Sequence, residues 1–273
     1  MKIGFVITNY NNSDLTKGAI ESLNKNKDAD FEIVVVDNSS DDNNLQKLKI
    51  IEMTIKNVSV IYSPKNVGYF KGLNLGIRQL RSKYPVLNWI IVGNNDVLFP
   101  NSFYNAILSK LSLSEKYPVI SPNIITQDGF HQNPHVINKI GKIREFIYDI
   151  YHSSYLIAKW IIFLSKITNK FTDRNDEDKH EIAQEIYQGY GAMYILTPKF
   201  FENFDELWSP TFLLYEEYFL SKQLSDKGYS IYYEPSIKMT HLMHASTDKL
   251  PGHVKWKFSK ASHEIYRKYV KLF

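Results

Sequence analysis

Short apolar runs alternate with amphipathic stretches through the first half of the chain. Residues 2–8 and 32–36 are dominated by Ile, Val and Phe, and the second run has four apolar residues in a row before Asp37. Such runs, rich in β-branched residues, predict strands buried on both faces, as in a parallel sheet. Residues 58–62, 89–92 and 119–121 repeat the signal. Between them, residues 14–23, 41–52, 69–81 and 101–111 read as helices, and Leu73, Ile77 and Leu80 share one face of the third. Ser13 stands where a helix N-cap is expected, and Ser39, Ser40 or Asp41 could cap the second helix. The order β-α-β-α-β-α-β-α-β predicts a doubly wound, mostly parallel α/β sheet. In such sheets ligands bind beyond the carboxyl ends of the strands. The polar clusters 8–12, 37–42, 63–68 and 93–96 fall there.

The alternation breaks after about residue 128. Residues 139–171, rich in Tyr, Ile and Lys, predict one or two helices, and the charged stretch 172–181 predicts a flexible link. Structure resumes over 186–197, with helices at 198–203 and 215–227 and a strand at 230–234. Residues 251–273 read as a basic amphipathic helix. The expected organisation is one domain over 1–250, with a helical insert at about 130–185, followed by this tail.

Composition narrows the chemistry. The chain has 273 residues and no cysteine, which excludes disulfides, thiolate nucleophiles and zinc–thiolate sites. A net charge of +4 falls short of the basic excess expected of a nucleic-acid binder. No apolar run is long enough to span a bilayer. The opening run, 1–7, is too short for an export signal, so a cytoplasmic location is expected.

Five segments carry candidate chemistry. Asn94, Asn95 and Asp96 follow a buried strand, where a carboxylate beside amides suits a divalent cation; a simple turn is the alternative. Asp37, also at a strand end, suits hydrogen bonds from a ribose or a base. Gly68, Lys71, Gly72 and Gly76 do not have the spacing of a dinucleotide fingerprint. Close backbone approach to a nucleotide, with Lys71 near phosphate, and tight helix–sheet packing both fit. Glu216 and Glu217 fall inside an aromatic run. There a carboxylate would have a raised pKa and could act as a general base, although the helix dipole also favours acids at that position. His241, a few residues past the predicted strand, could join Asp96 in a metal site suited to Mn²⁺.

Taken together, these segments resemble the inverting family 2 glycosyltransferases of GT-A fold, rhamnosyltransferase-like and capsule or O-antigen enzymes in particular. Residues 36–41 look like the family's VDNxSxD segment. Residues 66–77 look like NxGxxxGxNxGI, and Asn94-Asn95-Asp96 sits where the DXD-type motif sits. Residues 189–192 resemble the acceptor-side glycine segment. Phe204-Asp205-Glu206 with Tyr215-Glu216-Glu217 resembles FDExF…YxED, and 228–235 with His241 and Ser246 resembles the closing motif. The likeness covers about 1–128 and 186–246.

It implies transfer of a sugar, with inversion, from a UDP- or dTDP-linked donor to a hydroxyl of a glycan or lipid-linked acceptor, in bacterial surface polysaccharide synthesis. Thr8, Asn9, Tyr10, Asp37, Asn66, Gly68, Lys71, Asn74, Asn94 and Asn95 would bind nucleotide. Asp96 and His241 would hold Mn²⁺ or Mg²⁺, and Gly191 and Ala192 would meet acceptor. Glu217 would be the base, with Glu216 as the fallback. Two departures stand out: the DXD-type motif has a single carboxylate, and Glu217 replaces the Asp of many relatives. A sugar nucleotidyltransferase would need a glycine-rich basic loop after the first strand, and residues 8–12 are not one. A catalytically degenerate GT-A domain acting as a binding partner is the alternative reading.

Basic residues alternate with Trp, Tyr and Phe over 139–170 and 251–273. That pattern suits peripheral contact with the inner face of the cytoplasmic membrane. It equally suits packing on the catalytic domain or on a second subunit, and a homodimer stays open.

Overall fold

The computed structural model describes residues 1–87, 89–167, 176–243 and 251–271. A nine-stranded sheet runs through these residues. Its strands are β1 (Lys2–Asn9), β2 (Asp30–Asp37), β3 (Val58–Tyr62), β4 (Ile90–Asn94), β5 (Val97–Leu98), β6 (Val119–Thr126), β7 (Gln184–Ile186), β8 (Met193–Leu196) and β9 (Ile231–His241). The order across the sheet is β3-β2-β1-β4-β8-β6-β9-β5, and β7 pairs with β9.

The parallel character predicted from the buried runs holds for β3-β2-β1-β4 and again for β6-β9. The rest is antiparallel: β8 against β4 and β6, and β5 and β7 against β9. The sheet is therefore mixed. Among the described strands after β4, the short β5, β7 and β8 run antiparallel to their neighbours, while the longer β6 and β9 keep the parallel direction.

Alternation along each strand explains the two helical layers. Ile3, Phe5 and Ile7 of β1, with Ile33 and Val35 of β2, face one core. That core is covered by helices α1 (Ser13–Asn24), α2 (Asp42–Thr54) and α4 (Phe103–Leu108). Val6, Val34 and Val36 face the opposite core. Over it lie α3 (Tyr69–Lys83), α7 (Pro198–Asn203) and α8 (Glu216–Ser225). Gly76 is the point of closest approach between α3 and the sheet, since a Cβ there would stand 2.3 Å from Cγ1 of Val6. The packing role expected of this glycine is thus present.

Several boundaries differ from the sequence reading for identifiable reasons. Ser13 is not a cap. Helix α1 begins at Ser13, whose N–H and hydroxyl are both spent on Asn44, at 3.0 and 2.9 Å. Asp41 does cap α2, accepting from the Asn44 N–H at 2.9 Å. Residues 101–111 split into α4 and a 3₁₀ turn, Leu111–Glu115. Residues 186–197 hold the end of β7 and all of β8. Strand β9 does not stop at Pro235. A register shift opposite Pro122 and Asn123 absorbs the proline, and pairing resumes through His241, so His241 lies within a strand.

Between β6 and β7 lie helices α5 (Lys142–Ser153) and α6 (Tyr155–Ile167) and a 3₁₀ turn, Asp176–Lys179. Helix α9 (Gly252–Tyr266) follows β9. Arg267 ties tail to insert, with Nη2 and Nε on the Asp149 carboxylate at 2.7 and 2.5 Å and Nη2 on the Glu145 carbonyl at 2.8 Å. Ser259 bonds His152 at 2.8 Å, and the Trp256 indole donates to the Tyr151 carbonyl at 3.1 Å. The tail's aromatics are therefore largely spent on the protein. Much of α5 and α6 is not: Ile143, Leu156 and Trp160 are 80%, 69% and 66% exposed. Among the described residues no helix is long and apolar enough to cross a membrane. The N-terminal part of the predicted 172–181 link, Lys170, Ser246 and Phe273 lie outside the described residues.

Candidate active site

A cavity of about 580 Å³ opens at the carboxyl ends of β1 and β4. Its floor is a buried amide network built because three strand and helix ends converge. Asn9, the last residue of β1, donates from Nδ2 to Oδ1 of Asp37 at 2.8 Å, and its Oδ1 accepts from Thr16 at 2.8 Å. Asn95 donates to the same Asn9 oxygen at 3.1 Å and to the Thr16 hydroxyl at 2.7 Å. Asn38 closes one side, its Nδ2 reaching the Gly68 carbonyl at 3.1 Å. Gly68 needs to be glycine: its φ is +91°, and a Cβ would stand 2.2 Å from the Phe212 carbonyl oxygen.

Asp96 follows β4 and is 2% exposed. Nε2 of His241 lies 3.1 Å from its Oδ1, and Nδ1 of His241 lies 2.8 Å from Oε1 of Gln132. The pairing arises because β5 lies antiparallel on β9, with Val97 opposite His241. An imidazole oriented by an amide oxygen, beside one carboxylate, is a donor set suited to Mn²⁺ or Mg²⁺. Among the described residues no three His, Asp or Glu side chains converge. A pair of this kind could hold a cation that binds chiefly through substrate phosphates and water.

Opposite, Glu216 and Glu217 open helix α8, and both line the cavity. The turn before them is strained: Leu214 and Tyr215 have φ of 72° and 68°. Helix α9 holds that turn. The Ser262 hydroxyl donates to the Leu213 carbonyl at 2.6 Å, and the Tyr215 hydroxyl bonds Nδ1 of His263 at 2.9 Å. Glu216 is buried and its Oε1 has no hydrogen-bond partner. Burial first, and the Glu217 charge second, push its carboxyl up to about 8. Glu217 is half-buried, and a Cβ on Gly191 would stand 2.5 Å from its Oε1. Gly191 thus leaves room for that carboxylate, while its carbonyl accepts from the Tyr69 hydroxyl at 2.8 Å.

The structure brings Thr8, Asn9, Tyr10, Asn66, Gly68, Asn94, Asn95, Asp96, Gly191, Ala192, Glu216, Glu217 and His241 to this one cavity. Three expected residues do not line it. Asp37 is fully buried behind Asn9, its carboxylate taken up by Asn9 and Ser40. Asn74 is spent on the backbone of Leu207, donating at 2.8 Å and accepting at 2.9 Å. Lys71 is exposed, one turn into α3. Sequence reasoning missed Asn38, Tyr69, Tyr190, Phe212 and Phe258 as lining residues, and Gln132 behind His241. Asn38 and Tyr69 lie within motifs already singled out. Nothing local marks Gln132 or Phe258, which arrive from the insert and the tail.

The family model for glycosyl transferase family 2 matches residues 5–172. An uncharacterized glycosyltransferase of Mycoplasma genitalium, MG060, is 27% identical over 122 residues, which is 44% of this chain and 40% of that protein. The structure is similar to a Pyrobaculum calidifontis mannosyltransferase, PcManGT, solved with GDP-Man and Mn²⁺. The TM-score is 0.57 at 13% identity, over 96% of this chain and 61% of that one. Residues 1–349 of Staphylococcus aureus TarS give a TM-score of 0.52 at 14% identity, over 89% of this chain and 60% of that one. GalNAc-T7, solved with UDP, GalNAc and Mn²⁺, gives 0.56 at 12% identity, over 90% and 44%. The chain thus spans less than two thirds of each of these proteins, and at such identities the likeness concerns the fold.

Proposed function

The chain belongs to glycosyl transferase family 2, and from that premise we propose that it moves a sugar, with inversion, from a nucleotide-diphosphate donor to an acceptor hydroxyl. The observation that carries this reading is one cavity with an amide floor, an Asp96–His241 pair on one side and a Glu217 carboxylate on the other.

The amides of Asn38 and Asn95 suit a base and ribose, which present both donors and acceptors, and Asn9, its own amide spent on Asp37, Ser40, Thr16 and Asn95, holds Asn95 in place. Asp37 acts behind them by fixing the orientation of Asn9. Asp96 and His241 would hold Mn²⁺ or Mg²⁺ against the diphosphate, and that cation supplies Lewis-acid neutralisation of the leaving group. Glu217 takes the proton from the acceptor hydroxyl. The acceptor oxygen forms its bond to the anomeric carbon as the bond to the diphosphate oxygen breaks, and the electron pair leaves with the nucleoside diphosphate. A single displacement of this kind inverts the centre. Glu216, pushed up by burial and by the charge of its neighbour, is held protonated near neutral pH and is the poorer candidate for the base. By motif resemblance, the setting we propose is bacterial surface polysaccharide synthesis, with a UDP- or dTDP-linked donor.

A thermal-shift screen against UDP, dTDP, GDP and CMP, each with and without Mn²⁺, tests this reading. A ligand of the native state raises the melting temperature. A metal-dependent rise with one nucleotide is expected; no rise with any would return the chain to the degenerate-domain reading. Peripheral membrane contact, which we place on the exposed faces of α5 and α6, predicts pelleting with anionic liposomes at low salt. Protein left in the supernatant would remove it.

A further inference from the structure

Among the described residues, Leu214 and Tyr215 are the only two consecutive non-glycine residues with positive φ. A residue with a Cβ resists that backbone region, so its surroundings must hold it there. The two stand directly before α8, and their geometry sets where Glu216 and Glu217 meet the cavity. Glu217 has little slack, since a Cβ on Gly191 would stand 2.5 Å from its Oε1. The Tyr215 side chain gives α8 no cap. It turns instead to α9, as do its neighbours. Phe212 stacks on Phe258 with ring centres 5.6 Å apart, and the Leu213 carbonyl accepts from the Ser262 hydroxyl at 2.6 Å. The Tyr215 ring lies 4.8 Å from that of Tyr266, and its hydroxyl 2.9 Å from Nδ1 of His263.

The Tyr215–His263 contact ends a directional chain of hydrogen bonds. An ionised Asp149 carboxylate only accepts, so Nε2 of His263, 2.8 Å from it, carries the proton. Burial lowers the pKa of His263, and the imidazole is neutral near pH 7. Its Nδ1 is then the acceptor, and the Tyr215 hydroxyl donates to it. Arg267 fixes Asp149 from its other side, with Nη2 2.7 Å from Oδ2. His152 of α5 stacks on His263 with ring centres 4.0 Å apart, which keeps the imidazole from turning. The chain Arg267–Asp149–His263–Tyr215 thus runs from tail and insert to the residue before the two glutamates. None of its four side chains lines the cavity. A tail that only packed would do so with apolar side chains. A buried imidazole bonded through both nitrogens specifies one geometry.

We propose that His263 is a positioning residue for the base: through Tyr215 it locks the left-handed turn in the geometry that aims Glu217 at the acceptor hydroxyl. The inference rests on the glycosyltransferase reading above. It gives the insert and the tail a common purpose, since Asp149 comes from one and His263 and Arg267 from the other. Loss of the hydroxyl contact leaves Leu214 and Tyr215 to relax toward ordinary backbone angles, and the carboxylate moves with them. A displacement of about 1 Å at a reacting group is worth up to about 10²-fold in rate.

The test compares the full chain with Tyr215→Phe, which removes only the hydroxyl, and with His263→Ala, His263→Asn and His263→Gln. Asn places an amide oxygen near the position of Nδ1 and keeps the Tyr215 bond. Gln reaches Asp149 in place of Nε2 and leaves Tyr215 unmet. Release of nucleoside diphosphate from UDP-glucose, UDP-galactose, UDP-N-acetylglucosamine, dTDP-glucose and GDP-mannose, with Mn²⁺ and with water as acceptor, gives kcat and the donor KM. Hydrogen exchange of peptides spanning 212–219 reports on the turn. Tyr215→Phe and His263→Ala are expected to lower kcat by about 10- to 100-fold, with the donor KM and the nucleotide thermal shift unchanged. Both should speed exchange in that segment. His263→Asn should recover most of the loss and His263→Gln should not. Because the effect passes through Glu217, adding Tyr215→Phe to Glu217→Gln should cost nothing further. If His263→Ala does not fold, Tyr215→Phe and that double variant decide. Unchanged exchange, a kcat kept by Tyr215→Phe, losses that multiply in the double variant, or rescue by Gln and not by Asn would each overturn the positioning role alone. A wild-type chain that turns over none of these donors overturns the transferase reading, and the positioning role with it.

Discussion

Glu217→Gln is expected to lower sugar transfer by about 10²- to 10⁴-fold, the usual worth of a positioned general base, while nucleotide binding stays near that of the wild type. The substitution keeps the volume and loses the proton acceptor. Room for the side chain is already set by Gly191, and the amide floor, Asp96 and His241 are untouched. Initial rates with the donor named by the nucleotide screen, set against the nucleotide-induced thermal shift, separate chemistry from binding. A variant that kept most of its activity while Glu216→Gln lost it would make Glu216 the base.

A second readout comes with the same variant. The Glu217 charge is the second cause, after burial, of the raised Glu216 carboxyl. Neutral Gln leaves burial alone, so Glu216 titrates lower. The sign follows from linkage. The folded carboxyl, at about 8, lies above its ordinary value of 4.5, so the unfolded chain gives up that proton first as pH rises. The wild type therefore loses stability between those two pH values. Glu217→Gln should lose less, read as a smaller fall in melting temperature from pH 5 to pH 8.5.

Much of the N-terminal half was legible because its signals are local. A strand buried on both faces must be apolar along its length, and a helix on the sheet must show one apolar face. Ile33–Val36 and Leu73, Ile77 and Leu80 meet those demands. The polar clusters fell at the strand ends, and thirteen of the sixteen expected site residues line one cavity. The failures have physical causes. Asp37 and Asn74 carry the right chemistry but spend it on neighbours, and hydrogen-bond partners are not visible in a sequence. Pro235 reads as a strand end, yet β9 bulges there, between the partners of Pro122 and Asn123, and pairing with β6 resumes as far as His241. The antiparallel strands β5, β7 and β8 are two to four residues long, too short to show a period. Gln132 and Phe258 reach the site from distant segments, so only the tertiary fold reveals them.

Asp96→Asn is expected to abolish the Mn²⁺-dependent part of the nucleotide shift and to lower transfer by at least about 10²-fold, since it would remove the single charged ligand of the proposed set. The substitution is nearly isosteric. The Asp96 backbone carbonyl still accepts from the Leu242 N–H at 2.9 Å, so β5 and β9 stay joined. An Asn oxygen can also still face Nε2 of His241, now 3.1 Å from the carboxylate. What disappears is the negative charge, and with it the preference for a hard divalent cation over water. The amide floor remains, so a metal-independent shift with the same nucleotide should survive. Gln132→Ala probes the same pair from behind. It removes the oxygen 2.8 Å from Nδ1 of His241 and frees the imidazole to turn, a loss worth about 10- to 100-fold in metal affinity for such outer partners. The ranking decides the matter. If Asp96→Asn keeps the full Mn²⁺ response while Gln132→Ala weakens it, the cation is held through His241 by another carboxylate. If both variants lose it, and Asp96→Asn the more, the two ligands on adjacent strand ends hold the cation together with the donor's own phosphates.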